Sequence, residues 1–109
     1  MNYERGVVLK GPDLFGDADH RPYVCLSDDS HPFSAEEALY AAITTTQREA
    51  AVRLTDHDFA TGGLPRVSYV NSWTVVSIRH ADIDRAEGRL IGTVTEQVAT
   101  EAAGYLGVR

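Results

Sequence analysis

Apolar and polar positions along this chain alternate in short runs, and only its end shows helical spacing. Val7-Val8-Leu9 forms the apolar centre of a first strand expected over Asn2–Lys10, ended by Gly11-Pro12. Asp13–His20 reads as a polar loop. A second strand, Pro22–Ser27, sets Pro22, Val24 and Leu26 on one face, with Arg21, Tyr23 and Cys25 on the other. Asp28–Pro32 is a loop. Ser34 and Glu37 have the spacing of a capping box, which favours a helix start. The Ile-Thr-Thr-Thr run that follows is poor helix sequence, so one short turn and then a strand is expected.

That strand occupies the stretch around which the chain is organised, Ala38-Leu39-Tyr40-Ala41-Ala42-Ile43-Thr44-Thr45-Thr46-Gln47. At period two, Leu39, Ala41 and Ile43 share a face expected to point inward. Tyr40, Ala42 and Thr44 take the opposite face, which leaves Thr44 pointing outward at the strand's end. A β-branched hydroxyl there loses few rotamers when it is held in place.

Further strands are expected at Ala50–Leu54, Val67–Asn71, Trp73–Ile78 and Gly88–Gly92, the middle two readable as one strand bent at Ser72. Thr55–Gly63 is expected to be a connection with a helical turn near Asp56–Phe59, and His80–Ile83 a turn. Thr93–Tyr105 is the expected helix, with Thr93 and Glu96 as a capping box and Val94, Val98, Ala102 and Tyr105 as its apolar stripe. Short strands plus one terminal helix predict a mainly β (α+β) fold. The expected architecture is a small, strongly bent antiparallel sheet or barrel in one domain over residues 1–109.

Composition narrows the function. The chain carries 16 acids against 10 bases, for a formal charge of −6. Nine of the bases are Arg, and Lys10 is the one lysine. Such a surface suits a protein kept soluble at high salt, which points to a halophilic source. It argues against a general nucleic-acid coat protein but permits a local basic site. No apolar run is long enough to span a bilayer, and the first residues lack a signal peptide's apolar segment, so a cytoplasmic protein is expected. The single cysteine, Cys25, lies in an apolar stretch and reads as a packing residue.

Chemistry has few places to reside. There is no phosphate loop, dinucleotide fingerprint, zinc spacing or nucleophile elbow. His20, His31, His57 and His80 are far apart, and Asp56-His57-Asp58 reads as a solvated acidic loop. No metal or other cofactor is expected. Two strand ends remain. Arg21 offers a permanent charge and a planar fork suited to phosphate. Thr44 offers a hydroxyl donor that could join it on one pentacoordinate phosphorane. The ordinary explanation for Arg21 is a surface ion pair with Asp17 or Asp19.

The order of features then matters. Arg5-Gly6-Val7-Val8, His20-Arg21-Pro22-Tyr23-Val24-Cys25-Leu26-Ser27, Ala41-Ala42-Ile43-Thr44-Thr45-Thr46-Gln47, Gly63-Leu64-Pro65-Arg66-Val67-Ser68-Tyr69-Val70 and Trp73-Thr74-Val75 together resemble the PemK/Kid/MazF toxin family. The resemblance implies an SH3-like or CcdB-like barrel with a C-terminal helix, usually a homodimer. It implies a metal-independent endoribonuclease of a toxin–antitoxin pair. Such an enzyme cuts single-stranded RNA by attack of the 2′-hydroxyl, leaving 2′,3′-cyclic phosphate and 5′-hydroxyl ends. The catalytic arginine and threonine of that family correspond to Arg21 and Thr44: Arg21 to stabilise the phosphorane and protonate the leaving oxygen, Thr44 to hydrogen-bond the phosphate. The RNA-binding candidates are Asp17, Asp19, His20, Thr45, Gln47, Arg66 and Trp73, the last suited to stacking a base. The general base is left unassigned, and the implied partner is a cognate antitoxin protein. The competing reading is a non-catalytic binding or regulatory module on the same barrel.

Overall fold

The first and last strands of the sheet are neighbours in the chain, and that alone dictates its shape. The computed structural model describes residues 3–108. Its strands are β1 (Val7–Pro12), β2 (His20–Cys25), β3 (Glu37–Thr44), β4 (Val52–Leu54), β5 (Phe59–Gly62), β6 (Ser68–Arg79) and β7 (Arg85–Leu90), followed by helix α1 (Gly92–Tyr105). They form one antiparallel sheet in the order β4-β6-β3-β2-β1-β7-β5. Laid flat, its outer strands would stand about 29 Å apart, at roughly 4.8 Å per spacing. Yet Leu54 and Phe59 are separated only by Thr55 and a 3₁₀ turn, Asp56–Asp58, a reach of at most about 17 Å. The sheet must therefore curl into a half-barrel.

Curling covers both faces of the central strands. One core holds Val8, Val24, Ala41, Ile43, Leu54, Val70 and Leu90, closed by Val98 of α1. A second core, on the opposite face, holds Leu9, Tyr23, Cys25, Ala38, Tyr40, Ala42 and Ile78. This corrects the expected facing of β3. Tyr40 and Ala42 are as buried as Ala41 and Ile43, while Leu39 is 38% exposed. The alternation is real, but both of its phases are inside. Burial and hydrogen bonds from the Cys25 thiol to the carbonyls of Tyr3 and Ser27 fit the packing role expected of that residue, and desolvation pushes its pKa up to about 11.

Other boundaries moved for identifiable reasons. Gly11-Pro12 does not end β1, because both residues pair with β2. Asn2 lies outside the described residues. The stretch after Ser34 is a turn followed by a strand, as the weak helix propensity implied. The two expected strands from Val67 to Ile78 are one, β6. Its register against β3 jumps from Ala41↔Val75 to Ala42↔Asn71, so Ser72, Trp73 and Thr74 form a bulge with no partners on β3. Helix α1 has no capping box at Thr93 and Glu96. The helix begins at Gly92, so Thr93 is already inside the first turn, and Glu96 pairs with Arg5 at 2.9 Å. The 3₁₀ turn is tied down instead by Asp58, whose carboxylate accepts from the Thr55 amide at 2.8 Å and from the Thr55 hydroxyl at 3.2 Å.

Strand β5 was not expected, because Gly62 reads as a breaker. Gly62 has φ of 62° and pairs with Gly88 of β7. A Cβ on Gly62 would lie 2.2 Å from the Glu87 carbonyl oxygen, and one on Gly88 would lie 2.5 Å from the Thr61 carbonyl oxygen. The two backbones approach closely only because neither residue has a side chain. Gly62→Ala should combine left-handed strain with this clash and cost about 2–3 kcal/mol. Chemical denaturation reads this directly; an unchanged midpoint would mean that β5 does not pack on β7.

Candidate active site

Antiparallel pairing decides which side chains meet at the end of the barrel. The β2–β3 ladder pairs Cys25 with Tyr40, Val24 with Ala41, and Tyr23 with Ala42. Continuing that register by two residues sets Arg21 opposite Thr44. Directly opposed residues share a face, with Cβ atoms about 5 Å apart. Pro22, lying between, has no amide hydrogen with which to extend the ladder. The pair therefore sits where the sheet opens to solvent, one step beyond the core formed by Tyr23 and Ala42.

Two cavities meet at this pair. One, of about 200 Å³, is lined by Asp13, Ala18, His20, Pro22, Ile43, Thr45 and Ser68 as well as Arg21 and Thr44. The other, of about 390 Å³, is lined by Phe15, Ala42, Thr46, Arg48, Asn71, Trp73 and Thr74 together with the same two residues. Only Arg21 and Thr44 belong to both.

Arg21 is held by the loop that precedes it. Its Nε donates to Asp13 Oδ1 at 3.0 Å, and its guanidinium carbon lies 5.4 Å from the centre of the Phe15 ring. The Asp13 side chain is 3% exposed and also accepts from the Phe15 amide at 3.0 Å and the Ala18 amide at 3.3 Å. The Phe15 hydrogen bond above all, with help from Arg21 and against the opposing effect of desolvation, holds the Asp13 carboxyl below its ordinary range. Tyr23 steadies the same loop, donating to the Pro12 carbonyl at 2.6 Å and accepting from the Leu14 amide at 3.4 Å. With Nε engaged, the two terminal nitrogens of Arg21 remain to donate to a ligand. Thr44 is oriented likewise: its Oγ1 accepts from the Thr46 amide at 3.1 Å, which leaves the hydroxyl proton to donate.

The partner of Arg21 is thus Asp13, and not Asp17 or Asp19. A loop acid of the right type was visible in the sequence, but which one turns inward depends on how the loop folds. Asp17 and Asp19 are exposed and line neither cavity. His20 and Thr45 line the smaller cavity and Trp73 the larger. Trp73 is 38% exposed and meets Tyr105 edge-on, with ring centres 6.0 Å apart. Gln47 lines neither cavity, and Arg66 lines a separate one of about 350 Å³ with Thr55, Asp56 and His57. Phe15, Arg48 and Asn71 had not been anticipated. Arg48 followed the chosen strand by too few residues to stand out, and Asn71 is brought in only by the β6 register. The site's charge is locally positive, with Arg21 and Arg48 against one engaged carboxylate.

The lowered Asp13 pKa sets a pH dependence. A depressed carboxyl contributes stability above its ordinary value near 3.8, and loses it as pH falls through the lower folded value. Asp13→Asn lacks that contribution. Its melting temperature should lie below that of the wild type at neutral pH, and the gap should narrow as pH falls below about 4. Thermal melts from pH 7 to pH 2.5 test this, and a gap that stays constant would refute it.

No family model matches the sequence, and no curated protein matches it significantly. The fold is matched among solved structures. A mycobacterial endoribonuclease in complex with its cognate antitoxin superposes with a TM-score of 0.78 at 19% identity, over 98% of this chain and 97% of that one. The Mycobacterium tuberculosis toxin MazF-mt6 gives 0.71 at 24% identity, over 96% and 99%. A MazE–MazF structure from Deinococcus radiodurans gives 0.74 at 13% identity, over 100% and 99%. From its first strand to its terminal helix, this chain has the fold of the MazF-type toxins.

Proposed function

We propose that this chain is a metal-independent endoribonuclease toxin that cleaves single-stranded RNA to 2′,3′-cyclic phosphate and 5′-hydroxyl ends. The observation that carries this reading is that Arg21, near the start of β2, and Thr44, at the end of β3, both line two adjoining cavities, with the β2–β3 register running on to set them opposite each other. A phosphate seated there receives the terminal nitrogens of Arg21 and the Thr44 hydroxyl. Both donors gain strength as negative charge builds on the phosphorane, so they favour the transition state over the bound substrate. Trp73, Phe15 and Arg48 give the larger cavity surfaces suited to a base and its phosphates. The resemblance in sequence and the fold shared with named endoribonuclease toxins support the same chemistry.

By the same reasoning the partner is an antitoxin, since one of the matched structures is named as an endoribonuclease in complex with its cognate antitoxin. The setting is the cytoplasm, where the RNA is. High internal salt suits the acid-rich surface, because it screens self-repulsion.

Incubation with mixed-sequence RNA in excess chelator, followed by end-group analysis, tests the reaction. Thr44→Val keeps the side chain's shape but removes the hydroxyl, and should slow cleavage about 10²–10³-fold. Arg21→Ala should lose at least as much, and Arg21→Lys should restore it only in part, because a point charge lacks the fork. Wild-type rates in Thr44→Val and Arg21→Ala would sink this reading.

The active form is a homodimer. Leu39 of β3 and its diagonal neighbour Val75 of β6 are 38% and 39% exposed. A monomer this small gains by covering such a patch with a two-fold mate. Sedimentation at micromolar concentration should show a dimer, and Val75→Asp should shift it towards monomer. A wild-type monomer at that concentration would contradict the assignment.

A further inference from the structure

Transfer of a 2′-hydroxyl to phosphorus needs a group to take its proton, and neither a guanidinium nor a threonine hydroxyl serves as a base near neutral pH. We propose that His20 is that base, an assignment that rests on the ribonuclease reading above.

The two cavities leave no other group to fill the role. Their titratable residues are Asp13, His20, Arg21 and Arg48. The arginines stay protonated. Asp13 is buried and committed: one oxygen serves the Phe15 amide and Arg21, and the other serves the Ala18 amide. It holds Arg21 in place, and with its side chain 3% exposed little of it is open to substrate. The larger cavity, with only arginines to titrate, offers no base at all. His20 is the remaining member. It is the first residue of β2, exposed, adjacent in the chain to Arg21, and it lines the smaller cavity beside Thr44. The charged groups sharing that cavity are Asp13, from the loop before β2, and Arg21. The end of β3 and the residue after it bring the hydroxyls of Thr44 and Thr45, and β6 brings that of Ser68.

The step balances without any redox partner. The 2′ oxygen forms its bond to phosphorus as the phosphorus–5′-oxygen bond breaks, and the hydroxyl proton passes to the imidazole. The departing 5′ oxygen takes a proton from water in the open cavity, and His20 returns its own to that water.

Single-turnover cleavage of mixed-sequence RNA between pH 5 and 9 tests the assignment. The wild-type rate should rise with pH from the acid end of that range and then level off, as expected where the base must be unprotonated. His20→Gln and His20→Ala should each be slower by about 10²–10⁴-fold and lose that rising limb. Added imidazole should restore part of the rate of His20→Ala. The thermal midpoint should stay close to that of the wild type, because the position is exposed. Variants that cleave at the wild-type rate, or are slower but keep the rising limb, overturn the assignment and leave the ribonuclease reading intact. A wild-type protein that leaves RNA uncut overturns both.

Discussion

The register of β2 against β3 governs both the core and the site. Tyr23 and Cys25 face Ala42 and Tyr40 on one side of the sheet, while Val24 and Ala41 meet on the other. A slip of one residue would exchange these sets and reverse the direction of every side chain on the strand. In a sheet with one wet face, that exchange exposes one apolar set. Here both faces are packed, and each fully buried Val or Ile contributes about 1.5–3 kcal/mol. Misregister is therefore penalised on both sides, and the penalty is set by residues well away from solvent. The opposition of Arg21 and Thr44 follows from it two residues further on, where no apolar contact is needed to hold the pair.

Register places the backbone, but the reach of a long arginine has to be fixed separately. Asp13 does this by gathering two loop amides and Arg21 Nε onto one carboxylate. The loop's fold and the arginine's aim become a single arrangement, so ordering the guanidinium costs little when a phosphate arrives. The same arrangement accounts for a cationic site on a chain of formal charge −6. The nearest acid is engaged through Nε, while Arg48 adds a second cation at the larger cavity. The remaining acids lie mostly on exposed surface, where water and salt weaken their influence over distance.

The strand ends that carry Arg21 and Thr44 were legible in the sequence, because Pro22 and the Ile43-Thr44 boundary are local signals. Their opposition was not, since pairing partners are set by tertiary packing. The facing of β3 was misread for a physical reason. Alternation at period two reports one buried face, and Leu39-Tyr40-Ala41-Ala42-Ile43 is apolar in both phases, so the pattern could not say that both were inside. Strand β5 was hidden because a glycine that permits close strand contact has the same letter as one that breaks a strand. Asp13 stood unmarked among Asp17 and Asp19, since only the turn of the loop distinguishes them. The box at Thr93 and Glu96 had the right spacing but failed, because the helix starts one residue before Thr93 and Arg5 claims Glu96.

In-line displacement adds a constraint that the shape of the site meets. The attacking and leaving oxygens stand on opposite sides of phosphorus, so a single enclosed pocket around the phosphate would leave no exit for one of the two sugars. A phosphate held at Arg21 and Thr44 instead touches two separate cavities, which share no other residue. A strand crossing the pair can place the sugar that attacks in one and the sugar that leaves in the other. The smaller cavity offers hydroxyls and an imidazole, the groups needed where a proton is removed. The larger offers aromatic faces and Arg48, the groups that grip a nucleotide without chemistry. Under the proposed ribonuclease reading, the difference between the two sides gives the site a direction along the RNA, set by which strand ends the curled sheet brings together.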